Sequence, residues 1–226
     1  MTAERTVTSI KQLALHNVFM ATAGNEELLC TLSKHADEGS IIYDGLIFRP
    51  WSPASSKLSS LILKGMKIPI HKDSKILYLG AASGTTVGHV SDIAEDGLIY
   101  AVEFASRPSR DLLKAVEMRE NVIPIFADAR LPDSYPPFID NVDMIYQDVA
   151  QPDQSGILIV NANKYLKSGG YAIIAIKARS INISENIGTI FEKEAEKLEK
   201  DFEIIENVSL EPLHKDHLAL LCKYRK

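Results

Sequence analysis

The sequence predicts an α/β protein: a mostly parallel seven-stranded sheet with helices on both faces, preceded by a small β-rich N-terminal part. Three observations predict it. From Ile76 onward, short apolar runs alternate with segments of helical periodicity, the pattern of βαβ units. Before Ile76, short apolar stretches are broken by turn residues instead. The charge balance changes at the same place: residues 1–75 carry nine Lys/Arg and seven Asp/Glu, whereas residues 76–226 carry sixteen and twenty-three.

In the first part, Val7, Ile10, Leu13, Leu15, Val18 and Met20 sit among polar residues, and an apolar run covers Leu28 to Leu32. Ile41 to Tyr43, the turn pair Asp44-Gly45 and Leu46 to Phe48 spell a hairpin. Pro50 and Pro53 end that strand. Ser52-Pro53 is expected to open a helix running through Lys64. Residues 1–53 are therefore expected to form a small N-terminal β-hairpin domain, and residues 54–226 the larger domain.

The larger part begins with the apolar run Ile76-Leu77-Tyr78-Leu79, which stops at Gly80. A helix is expected from about Thr85 to Ala94, then a strand from Leu98 to Val102 that stops at Glu103. A helix over Arg107 to Met118 leads to a strand over Val122 to Phe126, with Asp128 two residues beyond it. Val142 to Tyr146 is a strand approaching Asp148. Residues 153–166 read as helix with Gly169-Gly170 as its stop, and Tyr171 to Ile176 as a strand ending at Lys177. A charged helix over residues 184–200 precedes a final strand pair, Phe202 to Val208 and Leu218 to Cys222.

Composition narrows the function classes. Hydrophobic residues make up 46% and charged residues 24% of the 226, which excludes long disorder. No apolar run approaches the roughly 20 residues of a membrane span, so no membrane association is expected. The N-terminus lacks a basic, apolar, small-residue signal. The only cysteines, Cys30 and Cys222, make neither a disulfide framework nor a zinc site. A cytoplasmic location follows as the expectation, and His16, His35, His71 and His89 show no metal-ligand spacing. A net charge of −5 disfavours unaided binding to nucleic acid.

The strand ends carry the chemistry. In an open α/β sheet, ligands sit beyond the carboxyl ends of the strands. Here those ends hold Gly80, Glu103, Asp128, Asp148 and Lys177. The first turn, Gly80 to Thr86, is built of small residues that let a ligand approach the backbone or simply make a tight turn. It is neither G-x-G-x-x-G, since position 82 is Ala, nor a P-loop, so a pyrophosphate is not its natural guest. Glu103 can accept both hydroxyls of a ribose, and Asp128 with Ala129 suits an adenine amino group. Together they describe an adenosine pocket without a diphosphate clamp, which fits S-adenosylmethionine and not a nicotinamide dinucleotide. Asp148 and Lys177, on adjacent strand ends, make an acid/base pair on one reading. On the other, Lys177 merely snorkels from a core strand. Lys57 and His217 are two further residues that could complete the site or lie at the surface.

The segments Tyr43-Asp44-Gly45, Arg49-Pro50-Trp51, Ser56-Lys57-Leu58, Ile76 to Gly80, Gly84-Thr85-Thr86, Asp148-Val149-Ala150-Gln151-Pro152, Ile176-Lys177-Ala178-Arg179-Ser180 and Lys215-Asp216-His217 resemble fibrillarin. The short N-terminal part makes the chain similar to the archaeal form. The resemblance implies a Rossmann-like S-adenosylmethionine-dependent methyltransferase fold and RNA 2′-O-methyl transfer. It implies the catalytic subunit of the box C/D guide ribonucleoprotein, acting on ribosomal RNA and tRNA. Its implied partners are a Nop-domain scaffold protein, a kink-turn-binding ribosomal-protein homologue and the guide RNA. Carried over by motif, the cofactor contacts fall on Gly80, Thr85, Thr86, Glu103, Phe104, Asp128, Ala129, Asp148, Val149, Ala150 and Gln151. The family's Lys-Asp-Lys-His tetrad falls on Lys57, Asp148, Lys177 and His217. The first turn has Ala82-Ser83 where Ser-Ala is expected, a swap of small residues that keeps the turn. Arg179 and the more basic N-terminal part are candidates for phosphate contacts or ordinary surface charges. Alternatives are a methyltransferase acting on a protein glutamine or a small molecule, and a scaffold subunit without turnover.

Overall fold

A computed structural model describes residues 7–37 and 39–226, so residues 1–6 and 38 of the expected N-terminal domain lie outside the described part. Two sheets are present among the described residues. The first is antiparallel throughout: β1 (Val7–Gln12), β2 (Val18–Ala23), β3 (Glu26–Ser33), β4 (Ile41–Tyr43) and β5 (Leu46–Pro50), in the order β1-β2-β3-β5-β4. The turn joining β4 to β5 has positive φ at both Asp44 and Gly45, the hairpin geometry that this pair of residues favours.

The second sheet has the order β11-β12-β10-β9-β6-β7-β8. β6 (Lys75–Leu79), β7 (Leu98–Glu103), β8 (Val122–Phe126), β9 (Val142–Gln147) and β10 (Leu166–Lys177) run parallel. β11 (Phe202–Ser209) and β12 (His217–Tyr224) close the far edge, with β12 antiparallel to both neighbours. Both faces of the central strands are buried, as a helix-covered parallel sheet demands. Ile76 and Tyr78 point into one core with Leu58, Leu61, Val87 and Leu112, so α1 (Lys57–Leu63), α2 (Thr85–Ile93) and α3 (Ser106–Val116) cover that face. Leu77 and Leu79 point into the other with Ile157, Leu158 and Leu198, beneath α4 (Gln154–Tyr165) and α6 (Ile187–Leu198).

Three boundaries differ from expectation. The first helix begins at Lys57 rather than at Ser52-Pro53, because Ser56 is extended and its hydroxyl accepts the Ser59 N–H, capping the helix there. Helix α4 stops at Tyr165, before the glycines: Leu166 already pairs with Val142, and Gly169 and Gly170 sit within an irregular start to β10. A Cβ on Gly170 would meet the backbone carbonyl oxygens of Lys167 and Asp143 at 2.9 and 3.0 Å, so this irregular start of the strand depends on its absence. The expected helix over residues 184–200 is shorter, α6, whose start is set by Asn186 accepting the Gly188 and Thr189 N–H groups; the four-residue α5 (Ala178–Ile181) precedes it, outside the expected range.

Order β10-β9-β6-β7 puts the polar strand ends side by side. Lys177, Asp148, Gly80 and Glu103 follow one another along one rim. A Cβ on Gly80 would lie 2.4 Å from the Asp148 carbonyl oxygen, so this glycine is what lets the end of β9 approach the first turn.

Candidate functional site

A cavity of about 310 Å³ opens on that rim. One wall is Gly80, Ala82, Glu103 and Phe104, another Ala127 and Ala129, and the third Asp148 to Gln151. The carbon-rich lining suits a flat apolar ligand, with polar groups at the ends.

Glu103 is nearly buried and fixed by the backbone. Its Oε1 accepts the Phe104 and Ala105 N–H groups at 3.0 and 2.8 Å, and its Oε2 accepts the Ala82 N–H at 2.9 Å. Ala82 carries a positive φ of 47°, an uncommon conformation for a residue with a Cβ, and the Glu103 bond holds it there. The carboxylate therefore shapes the first turn and retains acceptor capacity on Oε2. Across the cavity, Gln151 Oε1 is buried and has no partner among the described residues. A buried acceptor left unpaired costs about 1–3 kcal/mol, which a ligand ammonium or amino group would recover. A carboxylate acceptor on one side, an orphaned amide oxygen on the other and apolar walls between fit an adenosine carrying an amino-acid tail.

Asp128 stands just outside this lining. Its carboxylate is forked by Arg130, with contacts of 2.5 to 3.0 Å, and the guanidinium holds the carboxyl below its ordinary range. Thr85 and Thr86 begin α2 and lie outside the lining as well. The Thr86 hydroxyl donates to Ser56 Oγ at 3.0 Å, tying the start of α2 to the cap of α1 and so placing Lys57.

The tetrad residues come from four separate elements. Lys57 Nζ donates to Asp148 Oδ2 at 2.7 Å, and both side chains are largely covered. Asp148 is thus paired with Lys57, and no Asp148–Lys177 ion pair is present. The cause is local: the capped start of α1 delivers Lys57 over the rim, while β10 carries Lys177 one strand farther out. Among the described residues the Lys177 ammonium has no hydrogen-bond or ion-pair partner, and Asp148 Oδ1 accepts nothing. His217 is the register partner of Lys177 across β10 and β12. Burial lowers its pKa, and Lys57 and Lys177 lower it further, against the raising effects of the Lys215 carbonyl and Asp148. Its Nδ1 lies 2.6 Å from the Lys215 carbonyl oxygen, so the neutral ring donates from Nδ1 and keeps Nε2 as an acceptor.

Two residues behave otherwise than the sequence suggests. Among the described residues, Arg179 commits Nε to Asp216 Oδ2 and Nη1 to the carbonyls of Ile183 and Glu185, which leaves Nη2 as the part of its guanidinium open to a phosphate. Gln154, unremarked in the sequence, is fully buried and hydrogen-bonds the backbone of Lys177 at both its N–H and its C=O. No signal in the sequence marks it, since a long polar side chain at the start of a helix normally faces water. No helix among the described residues is long and apolar enough to cross a membrane, and none of their His, Cys, Asp and Glu clusters could hold a metal ion.

Comparison with known proteins gives a consistent result. A family model described as Fibrillarin matches residues 10–226. A fibrillarin-like rRNA/tRNA 2′-O-methyltransferase from Methanocaldococcus jannaschii is 49% identical over 198 residues, covering 84% of this chain and 86% of the relative. Aeropyrum pernix fibrillarin, solved with natively bound S-adenosyl-L-methionine, superposes with a TM-score of 0.87 at 37% identity, covering 96% and 99% of the two chains. A fibrillarin solved in complex with Nop5p also gives 0.87, at 40% identity and 95% and 100% coverage.

Proposed function

This chain belongs to the fibrillarin family, and from that premise we propose that it is the S-adenosylmethionine-dependent RNA 2′-O-methyltransferase subunit of a box C/D guide ribonucleoprotein. The observation that carries the reading is the rim itself: an Asp148–Lys57 pair, a Lys177 ammonium without a partner among the described residues, and His217 with its Nδ1 on the Lys215 carbonyl, beside a cavity suited to an adenosyl amino acid. In this reading residues 1–53 form the small β domain and residues 54–226 the methyltransferase domain.

Glu103 would hold the ribose of the cofactor, and Gln151 an amino group. Gly80, Phe104, Ala129, Val149 and Ala150 would line its path, with Thr85 and Thr86 setting the α2 wall. Asp128 would reach an adenine amino group by exchanging it for Arg130 at the mouth. Bound S-adenosylmethionine supplies an electrophilic methyl group on a sulfonium. The chain's residues act on the acceptor oxygen. A ribose hydroxyl is a very weak acid, so charge forming on its oxygen must be stabilised as the proton leaves. The free Asp148 Oδ1 would accept the hydroxyl hydrogen, and the Lys177 ammonium would stabilise the oxygen. Lys57, bonded to Oδ2, aims the Asp148 carboxylate. His217, held neutral, adds no further positive charge and offers Nε2 to the nucleotide. Alignment of these groups supplies much of the rate.

The acidic chain is consistent with a subunit that delegates its grip on RNA. The scaffold protein, supported by the Nop5p complex of a relative, and a kink-turn-binding ribosomal-protein homologue would present the duplex of guide and target. Base pairing then chooses the nucleotide in ribosomal RNA or tRNA, and a cytoplasmic site of action follows. Transfer of labelled methyl from S-adenosylmethionine tests the reading, with four acceptors: guided RNA in the assembled particle, the same RNA with the chain alone, glutamine peptides and free nucleosides. Transfer confined to the assembled particle is expected. Transfer to peptides or nucleosides would favour the alternative acceptors, and a particle that binds cofactor without transferring would favour a scaffold role.

A further inference from the structure

Strand β10 outruns its neighbour. Its last parallel partner in β9 is the pair Ile174 and Gln147, yet β10 continues to Lys177. On the other side β12 accompanies it all the way, to the pair Lys177 and His217, and the Ala178 N–H donates to the Asp216 carbonyl. The side once occupied by β9 is therefore left without a strand over the last three residues. Backbone groups there need partners, since burying them unpaired is costly.

Gln154 supplies them. The Lys177 N–H donates to Gln154 Oε1 at 2.8 Å, and Gln154 Nε2 donates to the Lys177 carbonyl at 3.1 Å. A carboxamide has the donor and acceptor of a peptide group, so Gln154 stands in for the missing rung of the ladder. The side chain is fully buried. Its own position is fixed twice. Gln147, the last residue of β9, donates from Nε2 to the Gln154 carbonyl at 2.7 Å. Its neighbour Ser155 donates from N–H and Oγ to Glu194 on α6, at 3.0 and 3.1 Å. The residue next to Gln147 is Asp148. One amide relay, Gln147 to Gln154 to Lys177, thus joins the strand end bearing Asp148 to the strand end bearing Lys177, although their side chains do not touch.

We infer that Gln154 is a positioning residue for Lys177, fixing where its ammonium stands relative to Asp148; this rests on the catalytic role proposed for Lys177. The clamp acts on the backbone, so it constrains the root of a long side chain that has no partner at its tip among the described residues. A displacement of about 1 Å in a catalytic group can cost about a hundredfold in rate.

The test uses the particle reconstituted with guide RNA and both partner proteins, and cofactor titrated calorimetrically into the free chain. Gln154→Met keeps length and volume and removes both clamp bonds. The expected result is a kcat lowered about 10- to 100-fold, with cofactor affinity and the KM for target RNA within threefold of the unaltered chain. Tyr135→Phe, which breaks the buried 2.9 Å bond to Asn161 farther along α4 and leaves Gln154 and both of its anchors untouched, is the control for a merely structural effect: a lower melting temperature with kcat unchanged. Gln154→Glu adds a signature. Ionised, it faces the Lys177 carbonyl with a second acceptor; protonated, it regains a donor and an acceptor. Its rate relative to the unaltered chain should therefore rise as pH falls through the raised pKa of a buried carboxyl. A Gln154→Met kcat within twofold of the unaltered chain would overturn the inference. So would a rate loss matched by an equal loss of cofactor affinity. If Gln154→Met does not fold, a pH-independent Gln154→Glu ratio overturns it alone. An inactive unaltered particle would instead sink the functional reading, and this inference with it.

Discussion

Two clusters in this molecule have nearly the same ingredients, a carboxylate, two cations and a histidine, and opposite designs. The first lies where α2 meets the N-terminal sheet. Asp92 Oδ2 accepts from Arg49 at 2.6 Å and from Thr31 at 2.8 Å; its Oδ1 accepts from Arg119 and Ser33, both at 2.7 Å. His89 stacks on Trp51 at 4.6 Å between centroids, and its Nδ1 meets Thr31 Oγ1 at 2.8 Å. Since Thr31 gives its one hydrogen to Asp92, His89 must donate. Every lone pair of Asp92 is used, and its side chain is 2% exposed. The second cluster is the rim. Asp148 is 25% exposed and, among the described residues, has one partner in Lys57 and stands near a lysine with none. A saturated cluster locks two sheets together and has nothing left to offer a substrate. The unsaturated one stores its capacity for a hydroxyl yet to arrive. Charge content alone did not distinguish them; the number of unfilled hydrogen-bond positions does.

That contrast can be broken at either end. The largest effect is expected at the rim. Lys177→Ala should lower methyl transfer about 10²- to 10⁴-fold, with cofactor affinity and melting temperature within error of the unaltered chain. If cofactor affinity fell in step with the rate, Lys177 would belong to cofactor binding. Next comes Asp92→Ala, which strands Arg119 and half of Arg49's contacts in a buried place. A loss of about 3–5 kcal/mol of stability is expected in denaturant unfolding. A cost below about 1 kcal/mol, typical of an exposed pair, would show that the cluster is not the lock described here.

Glu103→Gln is a smaller change. It sets an amide nitrogen against one of the N–H groups of Ala82, Phe104 and Ala105. Cofactor affinity should fall about tenfold, or about 1.4 kcal/mol; calorimetric titration showing no change would remove Glu103 from the binding wall. The smallest concerns acid. Burial first, then Arg49 and Arg119, lower the His89 pKa to about 2. The folded state therefore binds a proton less readily than the unfolded state. His89's contribution is fully present above its unfolded pKa near 6.5 and is lost as pH falls toward the folded value, at up to about 1.4 kcal/mol per pH unit. His89→Gln should flatten the acid limb of a stability curve, and an unchanged slope would assign that limb to other groups.

Much of this was legible in the sequence. Alternating apolar runs located the strands, because a parallel sheet buried on both faces needs them, and abrupt polar ends marked the rim. The Asp44-Gly45 turn was readable for the same local reason. What escaped were pairings across distance. Nothing near Asp148 shows that Lys57, 91 positions earlier, closes on it. Nothing near Arg179 shows that Asp216 and two carbonyls engage its Nε and Nη1. Gln154 was invisible because its partner is backbone, which leaves no trace in side-chain pattern. The caps at Ser56 and Asn186 moved helix starts by a few residues, since a single side-chain bond decides where a helix begins.

The most direct measurement is the chemical position of the methyl group made by the reconstituted particle, mapped on target RNA for the unaltered chain and for Lys177→Ala at saturating cofactor. One methyl on the ribose 2′-oxygen of the guided nucleotide, lost in Lys177→Ala although cofactor remains bound, is the expected result. Methyl on a base or on protein, or undiminished transfer by Lys177→Ala, would contradict the assignment of the unsaturated rim as the methyl-transfer site.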